Sequence, residues 1–284
     1  MRLKRRLFLL SIAMTVSLAA AWPIAALAAT QPRLGTATSF AVLGGSTVTN
    51  TGATVINGDV GLHPGTALTG FPPGMVVPPG ATHLTDAVAL QAKNDLTTAY
   101  NDAANQTPFV DLTGINLANQ NLTPGVYRFS SSAQLSAAGP LTLSGFGVFI
   151  FQIGSSLTTL PGSSVVLANG VGGLAQACGV YWQVGSSATI DTTTRFQGTV
   201  MALTSITMNT GASLVGRALA RNGAVTLDTN AIRVPNAACA SLPNTGVPLS
   251  LRGGFPWQLL LIGIAGGLGA LLLGSNARAR RRRV

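Results

Sequence analysis

SSATIDTTTRFQGTVMA (residues 186–202) runs directly into LTSITMNTGASLVGRALA (203–220) and then RNGAVTLDTNAI (221–232), and the three segments are copies of one unit. Each copy holds Thr, an apolar residue, Asp or Asn, and Thr. The leading threonines, Thr189, Thr207 and Thr226, are spaced by 18 and then 19 residues. A fixed period near 20 residues with short strands and Gly-rich turns predicts a β-solenoid, which stacks equivalent residues one strand spacing apart.

The positive charge of the chain lies at its two ends. The 284 residues carry a formal net charge of +10, with four basic residues before Leu7 and six after Leu251. Between Ala29 and Thr245 seven basic residues balance seven Asp, and there is no Glu. A nucleic-acid-binding surface needs clustered positive charge, so the sequence argues against nucleic acid as a partner.

The N-terminus has the form of a secretory signal peptide. A basic start precedes an apolar run from Leu7 to Ala21, and Ala26-Leu27-Ala28 is a small-residue cleavage site. We predict a signal peptide over residues 1–28. The alternative is an uncleaved transmembrane anchor.

The C-terminal end resembles the cell-wall sorting signal of Gram-positive surface proteins. Its parts, in order, are the LPxTG motif Leu242, Pro243, Asn244, Thr245 and Gly246 within a motif and linker region (241–254), an apolar transmembrane segment (255–274) and a basic cytoplasmic tail (275–284). An apolar run of about 20 residues can span a bilayer, and the arginines should stay cytoplasmic.

In that family a sortase cleaves between the positions matching Thr245 and Gly246 and joins the threonine to peptidoglycan. The resemblance therefore implies a secreted protein anchored to the cell wall, with sortase and peptidoglycan as partners and the membrane as a partner through 255–274 before sorting. A simple membrane anchor is the alternative. It would display the domain on the outer face of the cell membrane.

Two cysteines, Cys178 and Cys239, lie in the exported region. In an oxidising compartment we expect them to form a disulfide, and two buried free thiols are the alternative. Closing a loop of about 60 residues would stabilise the fold by roughly 4 kcal/mol in the chain-entropy model.

One helix is predicted among the strands. From Thr82 to Gln106 there is no Gly or Pro, and apolar residues recur every three or four positions, which is typical of an amphipathic helix. Thr82 is the predicted N-cap and Pro108 the stop. The preceding segment, 62–80, is rich in Pro and Gly and is predicted to be an irregular loop.

Two later strands, GVFIFQIG (147–154) and GVYWQVG (179–185), resemble each other. Both carry large aromatic residues, namely Phe149, Phe151, Tyr181 and Trp182. Aromatic residues on strands belong more often to a core than to a ligand platform, so we predict that these four pack inside the fold.

Long segments of the chain, in order, resemble the ice-binding domain of the DUF3494 type. They are TSFAVLGGSTVTNTGATVINGDVGLHPG (38–65), LTPGVYRFSSSAQL (122–135), VFIFQIGSSLTT (148–159), VYWQVGSSATI (180–190), FQGTVMALTSITMNTGA (196–212) and GRALARNGAVTL (216–227). The resemblance implies that residues 29–240 form one domain. This domain would be all-β with one long helix, a discontinuous right-handed triangular β-solenoid with an α-helix packed alongside. It also implies adsorption to ice and inhibition of ice growth or recrystallisation.

The residues themselves suggest the face for this role. Alternation along a strand turns Ile206 inward and Thr207 outward, and a branched Cβ restricts the threonine rotamers. The predicted ice-binding face comprises Thr51, Thr54, Thr189, Thr192, Thr207, Asn209, Thr210, Ser213 and Thr226. Charges near this array, from Asp191, Asp228 and Arg195, depart from an unbroken Thr-rich face.

Two functions from different classes therefore stay open. The first is a surface-displayed ice-binding protein, and the second is a structural or adhesive cell-wall module with the same fold and no ice activity. An enzyme is not favoured, because His63 and His83 have no metal-ligand spacing and the acidic residues form no catalytic pair. We accordingly predict no catalytic residue, no metal and no cofactor.

Overall fold

The computed structural model describes residues 29–170, 173–174 and 176–235. The predicted signal peptide (1–28), Cys239, the sorting motif, the segment 255–274 and the tail 275–284 lie outside the described residues. Within the described part of the chain, no helix has both the length and the apolar character that crossing a bilayer requires.

The described chain is mostly β-structure with one α-helix, α1 (Ala87–Ala104), and two short 3-10 helices, Gly35–Thr38 and Ala177–Gly179. The strands are β1 (Phe40–Gly44), β2 (Thr47–Asn50), β3 (Val55–Asn57), β4 (Asp59–Leu62), β5 (Ala67–Thr69), β6 (Met75–Val77), β7 (Thr82–Leu84), β8 (Val110–Asp111), β9 (Asn121–Leu122), β10 (Gly125–Phe129), β11 (Ala133–Leu135), β12 (Leu141–Ser144), β13 (Phe149–Ile153), β14 (Leu157–Thr159), β15 (Val165–Gly170), β16 (Gly173–Leu174), β17 (Val180–Val184), β18 (Ala188–Ile190), β19 (Arg195–Ala202), β20 (Ile206–Met208), β21 (Ser213–Ala220), β22 (Val225–Leu227) and β23 (Ala231–Arg233).

These strands form three sheets, and among the described residues every pairing is parallel except that of β15 with β16. The seven-stranded sheet has the order β11-β14-β18-β20-β22-β2-β5. The twelve-stranded sheet follows the path β6-β3-β23-β21-β19-β17-β13-β10-β8, with β1, β4 and β7 joined beside β21, and the four-stranded sheet has the order β16-β15-β12-β9. The chain returns to the seven-stranded sheet once per coil, so equivalent strands stack directly.

The stack is not continuous in sequence. β22 pairs with β2, in the register Val48↔Val225 and Thr49↔Thr226, and β23 pairs with β3. The N-terminal coils are therefore stacked on the C-terminal ones. The predicted architecture of mostly parallel β-structure with a single α-helix is confirmed.

The interior is filled by the apolar residues that flank each outward position. Ring stacking continues across neighbouring strands: the Phe151 ring centroid lies 5.5 Å from that of Tyr127 and 4.0 Å from that of Trp182. Phe196 lies 4.8 Å beyond Trp182. All four aromatic residues predicted to be in the core, Phe149, Phe151, Tyr181 and Trp182, are at most 1% exposed, which confirms that prediction.

The helix begins later than the sequence predicts. Thr82 belongs to β7, which pairs with β4, so its prediction as the N-cap was wrong. Asp86 caps the helix instead, and its carboxylate accepts a hydrogen bond of 2.7 Å from the Ala89 amide. Residues 82–84 form the edge strand β7 and not the first turn of the helix, because their hydrogen bonds to the sheet outweigh the local helical periodicity. The helix then begins at the next residue suited to cap it, Asp86.

One surface of the twelve-stranded sheet is closed by this helix. Ala92, Leu96 and Ala99 are fully buried between them. Polar side chains fix the contact through hydrogen bonds to backbone carbonyls: Lys93 Nζ to Ala220 and Arg221 (2.5 Å each), Tyr100 to Val184 (3.2 Å) and Gln152 Nε2 to Ala103 (2.9 Å). The helix therefore leaves the seven-stranded sheet as the broad surface without a covering element among the described residues.

The Pro- and Gly-rich segment 62–80 is not the irregular loop that the sequence predicts. β5 and β6 lie within it and pair with β2 and β3. Between them Gly70 has φ of +80°, and a Cβ there would lie 1.8 Å from the Asn50 carbonyl oxygen, so this turn requires glycine. Proline and glycine set the corners, and three-residue strands between the corners complete one more coil.

The buried amine of Lys93 predicts a rise in stability with pH. Burial, with a smaller effect of the nearby Arg221 charge, lowers the Lys93 pKa to about 8 from 10.5. The unfolded chain therefore binds more protons between these values, and the free energy of unfolding should rise from pH 8 towards pH 10, by at most about 3 kcal/mol. Above pH 10 the gain should reverse, because burial raises the Tyr181 pKa to about 12.

Chemical denaturation at pH 7, 8, 9 and 10 measures this effect, with Lys93→Met as the control. The variant should show a flatter profile over the same range. A flat wild-type profile, or an equal rise in Lys93→Met, would contradict the assignment to Lys93.

Candidate functional site

Six threonines form one straight column on the seven-stranded sheet. In the order of the strands they are Thr158, Thr189, Thr207, Thr226, Thr49 and Thr69, each paired directly with the next, and Gln134 continues the column on β11. We call these six residues the threonine ladder.

Strand alternation turns the ladder outward. On β20, Ile206 and Met208 are each 1% exposed, while Thr207 between them is half-buried. The same pattern holds on β22, where Thr226 is exposed between two buried residues. On β14, β18, β20 and β22, each rung thus buries two side chains and presents one threonine between them.

The ladder hydroxyls are left largely for water. The Thr49 hydroxyl donates to the Thr226 hydroxyl over a long 3.4 Å. Within the described residues, the hydroxyls of Thr158, Thr189 and Thr207 form no hydrogen bond with protein atoms. Their branched Cβ atoms restrict χ1, so methyl and hydroxyl groups repeat in a fixed array about 4.8 Å apart.

A row of serine hydroxyls borders the ladder at the start of four rungs, β11, β14, β18 and β20. The hydroxyls of Ser132 and Ser156 lie 2.9 Å apart, and the Ser205 amide donates to the Ser187 hydroxyl at 3.3 Å. This border is polar and uncharged.

The opposite border carries charge. Asn209 Nδ2 donates to Asp191 Oδ1 at 2.9 Å, and the hydroxyls of Thr210 and Thr229 donate to Asp228. The bond from Asn209 lowers the Asp191 pKa, and the bond from Thr210 lowers the Asp228 pKa. Both carboxylates are therefore ionised at neutral pH, directly after the strands that carry Thr189 and Thr226.

The structure brings some of the predicted face residues together. Thr189, Thr207 and Thr226 lie on the ladder. Asn209 is half-buried at its charged border, and Thr51 is exposed at the matching position after β2. Thr192 and Thr210 lie on the turns beyond that border, outside the strands.

The structure corrects two residues of the predicted face. Thr54 is fully buried, because its hydroxyl donates to Asn50 Oδ1 and accepts from the Asn230 amide. Ser213 begins β21 of the twelve-stranded sheet, where it pairs with Arg195. The expected positive charge of Arg195 near the array is thus on a different sheet.

Three ladder residues, Thr49, Thr69 and Thr158, are absent from the face predicted from the sequence. The sequence does indicate Thr158, because the segment Gly-Ser-Ser-Leu-Thr that ends at Thr158 matches the Gly-Ser-Ser-Ala-Thr that ends at Thr189. The indication for Thr49, its Thr-Val-Thr-Asn context, is weaker. Nothing in the Pro- and Gly-rich segment indicated that Thr69 extends the sheet.

The site offers little for covalent chemistry. In the described ranges no three His, Cys, Asp or Glu side chains come close enough to hold a metal ion. His83 Nδ1 and Asp86 Oδ2 lie 2.8 Å apart in a hydrogen bond at the start of the helix, away from the ladder strands. What the ladder provides is a periodic array of threonine side chains with restricted rotamers and with hydroxyls that are largely open to water.

Comparison with known proteins matches this geometry. A family described as Ice-binding-like matches residues 42–233. The ice-binding protein of Nostoc sp. (strain HG1) is 52% identical over 221 residues, 76% of this chain and 78% of that protein. Ice-binding protein 1 of Shewanella frigidimarina (strain NCIMB 400) is 35% identical over 257 residues, 78% of this chain and 28% of that protein.

Solved structures show the same relationship. An ice-binding protein from an Antarctic biological consortium matches with a TM-score of 0.69 at 50% identity, over 74% of this chain and 93% of that one. The DUF3494 domain of the Shewanella frigidimarina protein matches with a TM-score of 0.65 at 32% identity, over 74% of this chain and 99% of that one. The chain belongs to the ice-binding-like family.

Proposed function

We propose that this protein binds ice through the threonine ladder and inhibits ice growth or recrystallisation, without catalysis. The observation that carries the proposal is the register of six threonines over six adjacent strands in a chain of the ice-binding-like family. The named relatives are ice-binding proteins, and the ladder is the part of this chain suited to that partner.

The physical basis is a surface that is ordered before it meets ice. Parallel stacking repeats the same methyl and hydroxyl about every 4.8 Å along the sheet. The threonine side chains lose little rotamer freedom on contact. Adsorption can then order water on the face at a small entropic cost, and growth of the crystal is blocked where the protein sits.

The other surfaces fit this role less well. The helix covers one surface of the twelve-stranded sheet. The outward positions of this sheet that the helix does not cover include the exposed cations Arg195 and Arg233 and the exposed apolar residues Val55 and Met75. Such a mixed surface lacks the chemical repeat that the ladder has.

We further propose that the coils wind as a right-handed solenoid of triangular cross-section. Support comes from the division of the strands into three sheets and from the regular return of the chain to the seven-stranded sheet. A triangular section lets one flat side carry the ladder while another carries the helix.

We also propose that the protein is exported and displayed at the cell surface. The signal peptide over 1–28 and the sorting signal from 241 onward support this, with sortase and peptidoglycan as partners. Cys178, which is buried, would then form its disulfide with Cys239 in an oxidising compartment.

Thr207→Tyr tests the ice-binding face. Thr207 lies near the middle of the ladder, so a bulky ring there should break the flat surface and remove most of the thermal hysteresis or recrystallisation inhibition. Thr142→Tyr, on β12 of the four-stranded sheet, is the matched control and should keep wild-type activity. Full activity in Thr207→Tyr would place ice binding elsewhere. Binding to polysaccharide without any effect on ice would favour the adhesive function.

Asp228→Asn tests the charged border. A charged carboxylate is more strongly hydrated than an amide, so its removal beside Thr226 should increase the activity on ice. Asp102→Asn, an exposed change on the helix, is the control and should have no effect. A loss of activity in Asp228→Asn, in a folded protein, would show that the carboxylate contributes to the face.

Thr245→Ala tests the anchoring proposal. In a Gram-positive host with a sortase, wild-type protein should become covalently linked to the wall and be released by peptidoglycan hydrolases. The variant should stay with the membrane or the medium, because the acyl donor position has changed. Equal wall linkage of both proteins would refute sorting at this motif.

A further inference from the structure

Buried polar side chains run along one edge of the seven-stranded sheet, at the corner where each strand turns away. We call this set the polar corner. Its members are Asn50, Thr54, Thr159, Ser163, Thr194 and Asn230, and none is more than 6% exposed. Polar groups this deeply buried destabilise a fold unless they are hydrogen-bonded, so their partners show what they do.

Asn230 joins three neighbouring coils. Its Nδ2 donates to the carbonyl oxygens of Asn209 and Ala212 on the preceding coil, at 2.9 and 3.1 Å. Its backbone N–H donates to the Thr54 hydroxyl of the next coil in the stack, at 3.0 Å. Asn230 thus ties the coil of Thr226 to that of Thr207 through its side chain and to that of Thr49 through its backbone N–H.

Thr54 and Asn50 continue the connection. The Thr54 hydroxyl donates to Asn50 Oδ1, and Asn50 Nδ2 donates to the Gly70 carbonyl at 2.9 Å. Gly70 directly follows Thr69, the last residue of the ladder. The coils of Thr49 and Thr69 are therefore joined by the same set of buried bonds.

The other half of the stack has its own bonds at this corner. The hydroxyls of Thr159 and Thr194 lie 3.1 Å apart, and the Ser163 hydroxyl donates to the Leu135 carbonyl at 2.9 Å. At the surface, Asn209 bonds to Asp191. Side-chain hydrogen bonds consequently join each coil of the seven-stranded sheet to the next along this one edge.

We propose that the polar corner positions the threonine ladder for ice: its side chains touch no ice and instead hold successive coils at a constant spacing and angle. Adjacent strands normally rotate by roughly 20 to 25° relative to each other, and flat sheets of many strands are typically held by stacking or by side-chain ladders. A flat array needs such a restraint beside it. This inference rests on the proposed function.

Thr54 separates positioning from contact with ice. A threonine that contacts ice acts at the surface through its methyl as well as its hydroxyl. A positioning Thr54 acts inside the fold through the hydroxyl that bonds to Asn50 and Asn230. Thr54→Val keeps the shape and removes both bonds, whereas Thr54→Ser keeps both bonds and removes the methyl.

Thermal hysteresis of the full chain is measured for both variants in the cold, where circular dichroism shows them fully folded. Thr54→Val should lose most of its activity, and Thr54→Ser should retain it. Thr194→Val, which removes the bond to Thr159 at the other half of the stack, should also lose activity. If Thr54→Val does not fold, Thr194→Val takes its place in the comparison with Thr54→Ser.

Gln152→Ala is the control for a loss of stability alone. Gln152 is 6% exposed, and its Nε2 donates to the carbonyls of Ala103 in the helix and Gln106 just after it, both at 2.9 Å. It lies on the twelve-stranded sheet and not on the ladder. The substitution Gln152→Ala should lower the melting temperature and leave the thermal hysteresis unchanged. Wild-type hysteresis in the folded Val variants, or an equal loss in Gln152→Ala, overturns the positioning role while ice binding stands. No hysteresis in the wild type overturns both proposals.

Discussion

The register of parallel pairing in the seven-stranded sheet is the constraint on which the rest depends. A slip of one residue would turn Thr207 inward and Ile206 and Met208 outward. Burying an aliphatic side chain of that size stabilises a fold by about 1.5 to 3 kcal/mol, so each misregistered rung would lose several kcal/mol. The core that holds the fold together therefore also turns the ladder threonines to the surface.

The twelve-stranded and seven-stranded sheets differ in function because the helix covers one surface of the first and leaves the second uncovered. The twelve-stranded sheet buries residues on both of its surfaces where the helix lies, as on β17, where all five residues from Val180 to Val184 are buried. The seven-stranded sheet buries only alternate residues, as on β20. A rigid backing with one uncovered, chemically uniform surface is what adsorption to a crystal requires.

The ladder can be predicted from the sequence where the repeat has a regular period, and not elsewhere. Thr189, Thr207 and Thr226 share one pattern, and a fixed period translates directly into register. Thr69 could not be predicted, because the Pro and Gly residues around it indicate turns. Its strand is only three residues long and depends on β2 for its hydrogen bonds. The predicted helix cap at Thr82 is wrong for a related reason, since pairing with β4 outweighs local helical periodicity.

The prediction that Thr54 lies on the ice-binding face was wrong for a different reason. The segment Thr51-Gly52-Ala53-Thr54 matches a surface pattern, but alternation does not continue through a corner, where the backbone bends and the side chain is redirected. Whether such a residue points in or out is decided by partners distant in sequence, here Asn230, and no local pattern contains that information. The same limit applies to Ser213, which lies just beyond the equivalent corner.

The polar corner also suits a fold that works near the freezing point. Apolar burial stabilises less as temperature falls, whereas hydrogen bonds between buried groups such as Asn230 and the Ala212 carbonyl do not depend on that entropy-driven effect. A solenoid held only by its aliphatic core would loosen most in the conditions where it meets ice. Bonds placed beside the ladder restrain the rungs there, where a change in spacing of a fraction of an ångström would accumulate from rung to rung.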